Sequence, residues 1–313
     1  MNRSVVMIDA SGVLMRTICM MRGLNKKGQP LRGIEKTFAS RVLSAVTAFP
    51  PPNKSESCKF VANKVIVCFD HSGGPRRAMC PLYKKGRPSI DKDPEISAIV
   101  AATRTLCVAM GATVLPSQDC ADPVEADDLI DTAVKALAPQ GIHRVVISND
   151  KDMCQAFRHT RSDHDRTVSL FRNKNKPWLS TPLEVTLHLE GVRPQHYAAF
   201  LALAGDATDG IRSVMSKRKA TDAMRALGPT DSPSKLNLNT EELKKFEYNL
   251  RLTTAMECPE VVSVCNYDTL PHLDLSDSNV MTLKDTTGLD LAYYKNLLAA
   301  ARQAIARAKL LKP

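Results

Sequence analysis

The feature that most constrains the fold is a recurrence. Short runs rich in Val and Ile alternate with stretches of helical spacing, and most of the runs end in or near an acid. SVVMID (4–9), KVIVCFD (64–70), ATVLP (112–116) and HRVVIS (143–148) are strand-like, whereas 35–48, 94–110 and 123–138 repeat apolar residues at the three- and four-residue steps of a helix. Such alternation belongs to βαβ units around a parallel sheet. FPPPNKSES (49–57) is a loop by its prolines. Beyond about residue 180 the pattern becomes helical, over 182–190, 194–204, 219–227, 240–254 and 290–311, while 259–288 carries no periodicity. The expected fold is therefore α/β: a mostly parallel central sheet flanked by helices over 1–180, then a smaller helical region over 181–313, with no internal repeat.

The acids fall where such a sheet would gather them. Asp9 closes the first run, Asp70 closes the second, and Asp150 and Asp152 follow HRVVIS. In a parallel open sheet the carboxyl ends of the strands share one edge, where ligands bind. DPVEADDL (122–129) joins them at the head of a helix. Asp122 suits the N-cap, Pro123 the first helical position and Glu125 the third, a capping box that needs no function. Asp127 and Asp128 have no such account. Asp206 and Asp209 follow an apolar run in LALAGDATDGI. Any one of these acids is explicable as a cap, a turn residue or a surface charge. The whole set would repel itself unless cations sat within it. Carboxylate oxygen suits Mg²⁺ or Mn²⁺, and the absence of accompanying His or Cys argues against zinc. Two such ions about 4 Å apart can activate water and stabilise both oxygens of an in-line phosphodiester displacement. Phosphodiester hydrolysis is the chemistry expected.

Composition narrows the partner. Forty-three Lys and Arg against 33 Asp and Glu leave a net charge of +10, which favours a polyanion. A hydrophobic content of 43% is that of a globular chain, and no run of about 20 apolar residues exists to span a membrane. Nine cysteines without a CxxC pair read as reduced thiols in a cytoplasmic or similarly reducing compartment, and the N-terminus shows no secretion signal. Residues 76–92 hold Arg76, Arg77, Lys84, Lys85, Arg87 and Lys92 against Asp91 alone. Phosphate contacts from such a segment would make binding fall steeply with salt, and Tyr83 within it could stack on an unpaired base or simply pack. No phosphate-binding P-loop, dinucleotide fingerprint, GxSxG or HExxH motif is present.

Six motifs in order make the chain resemble the 5′-nuclease family of flap endonucleases and 5′-to-3′ exonucleases, as found in bacteriophage enzymes and in the 5′-nuclease domain of bacterial DNA polymerase I. They are MIDASGVLMR (7–16), CFDHSGGPRRAMCPLYKKGRP (68–88), LCVAMGATVLP (106–116), VEADDLI (124–130), VVISNDKDMCQ (145–155) and LALAGDATDGI (201–211). The resemblance implies a PIN-like, resolvase-like core with a helical arch near 76–110, and a C-terminal DNA-binding region of helix-hairpin-helix type that contributes Asp206 and Asp209. It further implies that Asp9, Asp70, Glu125, Asp127, Asp128, Asp150, Asp152, Asp206 and Asp209 surround two Mg²⁺ ions, with Mn²⁺ able to substitute. Lys84 and Arg87 match the basic pair that approaches the scissile phosphate. For the upstream family arginine, Arg77 keeps the distance from Asp70 and Arg76 keeps the distance to Tyr83, so both stand.

One departure concerns the turn after GDATDGI. Ser213 and Ser216 replace expected glycines, which puts a K⁺ site at this turn in question, since backbone approaches phosphate most easily at glycine. Lys217, Arg218 and Lys219 could substitute side-chain charge for amide contacts. The last helix, rich in Leu, Ala and basic residues, reads as amphipathic and packed on its own domain, ahead of a DNA or partner surface. The expected activity is a structure-specific, Mg²⁺-dependent 5′-nuclease on DNA with free or flapped 5′ ends, with RNA primers a further candidate substrate, in replication or repair. Two rivals stand: a PIN-like ribonuclease, which residues 201–228 disfavour, and a non-catalytic nucleic-acid-binding relative, which the full set of acids disfavours.

Overall fold

The computed structural model describes residues 3–24, 31–47, 61–71, 75–85, 93–117, 119–120, 122–160, 168–173, 176–287 and 295–309. Its centre is β1 (Arg3–Asp9), buried along its length after Arg3. β1 lies between β2 (Val61–Cys68) and β4 (His143–Ile147), both parallel to it. A strand walled on both sides by helices has no wet face, so it reads as a continuous apolar run and not as an alternation. The whole sheet runs β3 (Thr113–Leu115), β2, β1, β4, β5 (Val168–Asn173), β6 (Lys176–Leu179). Every pair is parallel except β5 with β6. The chain winds outward from β1 through β2 to β3, then returns to β4 and winds the other way. The order therefore reverses between β1 and β4, which is where an open sheet forms its ligand crevice.

Helices cover both faces. On one face Val6, Ile8, Val65 and Val67 pack with α1 (Ala10–Leu24), α2 (Ile34–Thr47) and α4 (Pro94–Ala109) through Leu14, Phe38, Leu43 and Leu106. On the other, Val5, Met7 and Val146 meet α5 (Ala126–Leu137) through Leu129, Ile130 and Val134. That same apolar cluster runs on into α7 (Tyr197–Ala204), α8 (Lys217–Ala226) and α9 (Thr240–Thr253), reached after the short α6 (Pro182–His188). The helical region thus shares the core's apolar interior. A short α3 (Pro75–Met79) precedes α4, whose N-cap Asp93 accepts from the amides of Glu95 and Ile96.

Several elements differ from the sequence expectation. The hairpin β5–β6 follows the four expected strands, its VSLFRN lacking a clean period. α1, not among the expected helices, begins at the residue after Asp9, whose carboxylate caps it by accepting from the Gly12 amide. The aperiodic 259–288 holds α10 (Pro259–Val264) and α11 (Asp277–Thr287). α12 (Lys295–Lys309) sits with the α/β core and not with the helical region, since Leu298, Ala301 and Ile305 pack on the cluster around α2 and β2. The proline-rich 49–57 lies outside the described residues, as does 86–92 in the middle of the expected arch. Among the described residues no helix is long and apolar enough to cross a membrane, and the cysteines are free thiols.

Candidate active site

Strand register alone assembles the first carboxylates. Asp9 pairs with Cys68 across β1–β2, so Asp70 lies two residues further along the same edge. Ile8 pairs with Ile147 across β1–β4, which puts Ser148 beside Asp9 and Asp150 just beyond. Ser148 Oγ donates to Asp9 Oδ2 at 2.7 Å, and the Gly12 amide donates to Oδ1 at 2.7 Å. A Cβ on Gly12 would come within 2.4 Å of Asp9 Oδ2, so only glycine admits this approach. Burial pushes the Asp9 carboxyl up to about 6 against these two donors, and Asp70 and Asp150 add to the rise.

Asp70 opens to solvent on one side but is packed by protein on the others. That loss of water raises its pKa, while the Ala126 amide, which donates to Oδ1 at 2.8 Å, and Lys84 oppose the rise. The strand end is joined to the head of α5 by a backbone bridge between His71 and Val124. This bridge keeps 122–125 extended and delays the helix. Glu125, not Asp122, is the N-cap, and its side chain makes no capping bond; the capping box expected from DPVE is absent. Glu125 is turned instead toward Lys84 Nζ (2.9 Å), Arg76 Nη1 (2.6 Å) and the Tyr83 hydroxyl (3.2 Å). Burial alone would raise its pKa, but Lys84 and Arg76 hold it below the usual carboxylate range. Asp127 has the opposite environment. Burial first, then Asp150 and Asp9, drive its pKa well up.

Beyond β4, Asp150 caps the 3-10 segment Lys151–His159 by accepting from the Asp152 amide at 2.9 Å. Asp152 Oδ1 is buried and makes no hydrogen bond, and burial followed by Asp150 pushes its carboxyl up to about 7. The turn after α7 brings in Asp206 and Asp209, both buried. Lys151 Nζ reaches Asp206 Oδ2 at 2.7 Å; burial would raise this carboxyl, but Lys151 and the Thr208 amide leave it below its ordinary value. A cleft of ≈ 260 Å³ is lined by Asn149, Asp150, Lys151, Asp152, Asp206, Thr208 and Asp209.

Three expected roles are corrected. Asp128 does not face this cleft: both its oxygens are taken by Arg76, at 2.7 and 2.8 Å, and Oδ1 also accepts from the Met256 amide. Arg76 is 3% exposed and additionally donates to the Thr254 carbonyl at 2.7 Å. It clamps α5, the end of α9 and the arch base together, and a guanidinium so enclosed cannot reach a phosphate. Nor can Tyr83 stack on a base, being 3% exposed with its hydroxyl spent on Glu125.

The other basic residues divide by position. Lys84 adopts φ +51° and donates its amide to the Asp209 carbonyl, which turns its side chain inward over the Tyr83 ring. Burial would lower the Lys84 pKa, but Glu125 holds it above the usual lysine range. Arg77 is half-buried, Lys85 is exposed, and Arg87 lies outside the described residues. Lys217, Arg218 and Lys219 are exposed in the first turn of α8, which Ser216 caps by accepting from the Lys219 amide. A second cleft of ≈ 400 Å³ runs from Lys151 and Asp206 to Lys217. Ser148 and Lys151 were the contributors that the sequence reading passed over. Ser148 was findable as the residue beside Asp9 once the strands were aligned, and Lys151 as the cation flanked by Asp150 and Asp152.

Among the described residues no group of three or more His, Cys, Asp or Glu side chains is drawn together closely enough to cage a metal ion. Glu125 and Asp206 are pulled aside by Lys84 and Lys151. The donor chemistry nevertheless fits a hard divalent cation: oxygen ligands only, three carboxyls driven up by burial and mutual repulsion, and one buried oxygen with no partner.

Residues 4–180 match the family described as 5′-3′ exonuclease, N-terminal resolvase-like domain. The 5′-3′ exonuclease of Buchnera aphidicola is 29% identical over 153 residues, which span 48% of this chain and 48% of that protein. Flap endonuclease Xni of Photobacterium profundum is 26% identical over 217 residues, spanning 68% of this chain and 72% of that one. The chain thus aligns with about half the length of the first relative. Among solved structures, the 5′-exonuclease of bacteriophage T5 with zinc ions bound superposes with a TM-score of 0.56 at 19% identity, covering 98% of this chain and 100% of its own. At that identity the likeness establishes the fold.

Proposed function

This chain belongs to the 5′-3′ exonuclease family, and from that premise we propose that it is a structure-specific 5′-nuclease that hydrolyses phosphodiester bonds of DNA with free or flapped 5′ ends, in replication or repair. The observation that carries this reading is the convergence of Asp9, Asp70 and Asp127, each raised by burial and neighbouring carboxylates, beside a cleft where Asp152 is raised likewise among Asp150, Asp206 and Asp209. Surface acids would not be gathered at that cost without a cation to receive.

Asp9, Asp70, Glu125, Asp127, Asp150, Asp152, Asp206 and Asp209 would hold the ions. Two Mg²⁺, or Mn²⁺ in their place, supply a nucleophilic water at neutral pH and charge stabilisation on the oxygens of the displacement. The chain's own part is electrostatic and positional. Asp9 and Asp152 carry protons for part of the time near neutrality and must surrender them as ions bind, so binding strengthens with pH. Lys84 offers a fixed cation to the phosphoryl oxygens where negative charge develops, with Arg77 and Arg87 nearby in the chain. α7, the turn carrying Asp206 and Asp209, and α8 would form the helix-hairpin-helix-type element that grips duplex backbone through Lys217, Arg218 and Lys219. Such contacts position the substrate without reading its bases.

The test is a labelled 5′-flap duplex incubated with the protein, with and without Mg²⁺, beside Asp152→Ala. Flap cleavage by the wild type in Mg²⁺ alone, abolished in the variant, is expected. An intact flap in both Mg²⁺ and Mn²⁺ overturns the nuclease reading; cleavage by Asp152→Ala overturns the assignment of the site.

A further inference from the structure

The arch base turns two of its side chains inward and two outward. Tyr83 and Lys84 enter the carboxylate cluster, whereas Leu82 (51% exposed) and Lys85 face solvent. α9 packs on the arch base through Leu252, which clusters with Cys80 and Tyr83, yet its Tyr248 is 44% exposed although it is an aromatic residue in a helix with a well-formed buried face of Phe246, Asn249 and Leu252. Tyr248 reaches across to α3: its hydroxyl donates to the Met79 carbonyl at 3.3 Å, and Met79 is itself 40% exposed. The ring is thus pinned at one end and bare over much of its surface. Lys244 and Arg251, one turn before and after Tyr248, share its stripe of the helix and are exposed. The acids Glu241 and Glu242 lie in the first turn of α9, where the Asn239 capping box and the helix dipole account for them.

A pinned, exposed aromatic ring beside the half-exposed Met79 and flanked along α9 by Lys244 and Arg251 has the chemistry of a base-stacking platform: every base presents a π-face, and the flanking cations track the phosphates. We propose that Tyr248, with Met79, binds an unpaired nucleotide of the single-stranded 5′ segment where it passes the arch base. This rests on the nuclease reading and adds to it a single-strand contact on the helical region, apart from the buried Tyr83. Lys244 and Arg251 outweigh the one acid between them, Glu247, so the flanks argue for nucleic acid over an apolar protein segment.

The experiment uses the full chain in Ca²⁺, so that binding is read without cleavage, and two probes: a duplex with a ten-nucleotide 5′ flap carrying 2-aminopurine, and the same duplex without the flap. Tyr248→Leu keeps apolar bulk against Met79 and removes the π-face, and Tyr248→Phe keeps the ring. Flap affinity is expected to fall about 5- to 100-fold in Tyr248→Leu, with loss of 2-aminopurine quenching, while affinity for the flapless duplex stays within about 2-fold. Tyr248→Phe should stay close to wild type on both probes. Equal flap affinity and quenching in wild type and Tyr248→Leu overturns the platform, and so does a parallel loss on both probes. The two readings fail separately: a wild type that cleaves flaps in Mg²⁺ while Tyr248→Leu binds them normally sinks only the platform. Quenched binding without cleavage in Mg²⁺ or Mn²⁺ sinks only the nuclease.

Discussion

Replacing Arg76 by Ala tests whether this residue is a structural clamp or a phosphate ligand. The guanidinium makes two bonds to Asp128, one to Glu125 and one to the Thr254 carbonyl, and the side chains of the pair are 4% and 1% exposed. Solvent screening is therefore negligible. Glu125 keeps Lys84 and Tyr83 in the variant, but Asp128 is left with the Met256 amide and a stranded charge. Removing one partner of a buried pair costs about 3–5 kcal/mol. An unfolding entropy of about 2.1 cal/mol/K per residue over 313 residues makes 1 kcal/mol worth about 1.5 °C. The melting temperature at pH 8 should then fall by about 5–8 °C. The sign with pH is fixed. Glu125 is depressed in the wild type, so its stabilisation is present above the ordinary carboxylate range and lost as pH falls through its folded value. The gap between the two proteins must narrow as pH falls below 4.5, the ordinary Glu125 value, and Arg76→Ala/Asp128→Asn should recover most of the loss. Thermal melts across pH 4–8 measure all of this. A variant within 1 °C of wild type at pH 8, or a gap that widens in acid, refutes the clamp.

Three further outcomes are expected. Asp9 at about 6 and Asp152 at about 7 lie above their unfolded values; their contribution is full below pH 4 and is lost as pH rises to 7. The melting-temperature gain from several millimolar Mg²⁺ should accordingly be small at pH 5 and grow through pH 6–7, and a pH-independent gain contradicts it. Lys84→Met should lower the single-turnover cleavage rate by about 10²–10³-fold while flap binding in Ca²⁺ is largely kept, and an unchanged rate removes Lys84 from the chemistry. Gly210 adopts φ +75° with its Cβ position 2.6 Å from the Leu82 carbonyl oxygen. Gly210→Ala should therefore cost at least about 1–2 kcal/mol and slow cleavage by parting Asp209 from Lys84; a melt identical to wild type would show that the turn relaxes freely.

Much of this was legible in the sequence, for identifiable reasons. Four strands were visible because parallel strands buried on both faces must be continuously apolar, and their order placed Asp9, Asp70 and Asp150 on one edge without any coordinates. The hairpin β5–β6 was not visible, because VSLFRN and KPWL are short and carry no clean alternation. Helix starts were misread where tertiary pairing competes with capping: DPVE is a good cap signal, yet the His71–Val124 bridge holds it extended. The hardest distinction was between neighbouring residues of like type. Asp127 and Asp128, or Arg76 and Arg77, look alike in a string, and only the direction of each side chain from its helix separates the clamp from the site.

That separation also decides which carboxylates can receive a cation from solution. Arg76 is enclosed and takes both oxygens of Asp128, so an arriving ion cannot displace it. Lys84 and Lys151 are different, with side chains 16% and 45% exposed on single bonds to Glu125 and Asp206. A hydrated ammonium on a flexible stem can withdraw to water or to a substrate phosphate at little cost, where a buried fork of guanidinium bonds cannot. Asp9, Asp70, Asp127 and Asp152 are raised by burial and by neighbouring carboxylates, so neutralising them gains the most. These acids, with Glu125 and Asp206 on their releasable lysines, would hold the ions, and Lys84 and Lys151 would then be free to answer a substrate phosphate. The net charge of +10 conceals this exchange, because what matters is which of the 43 cations are able to let go.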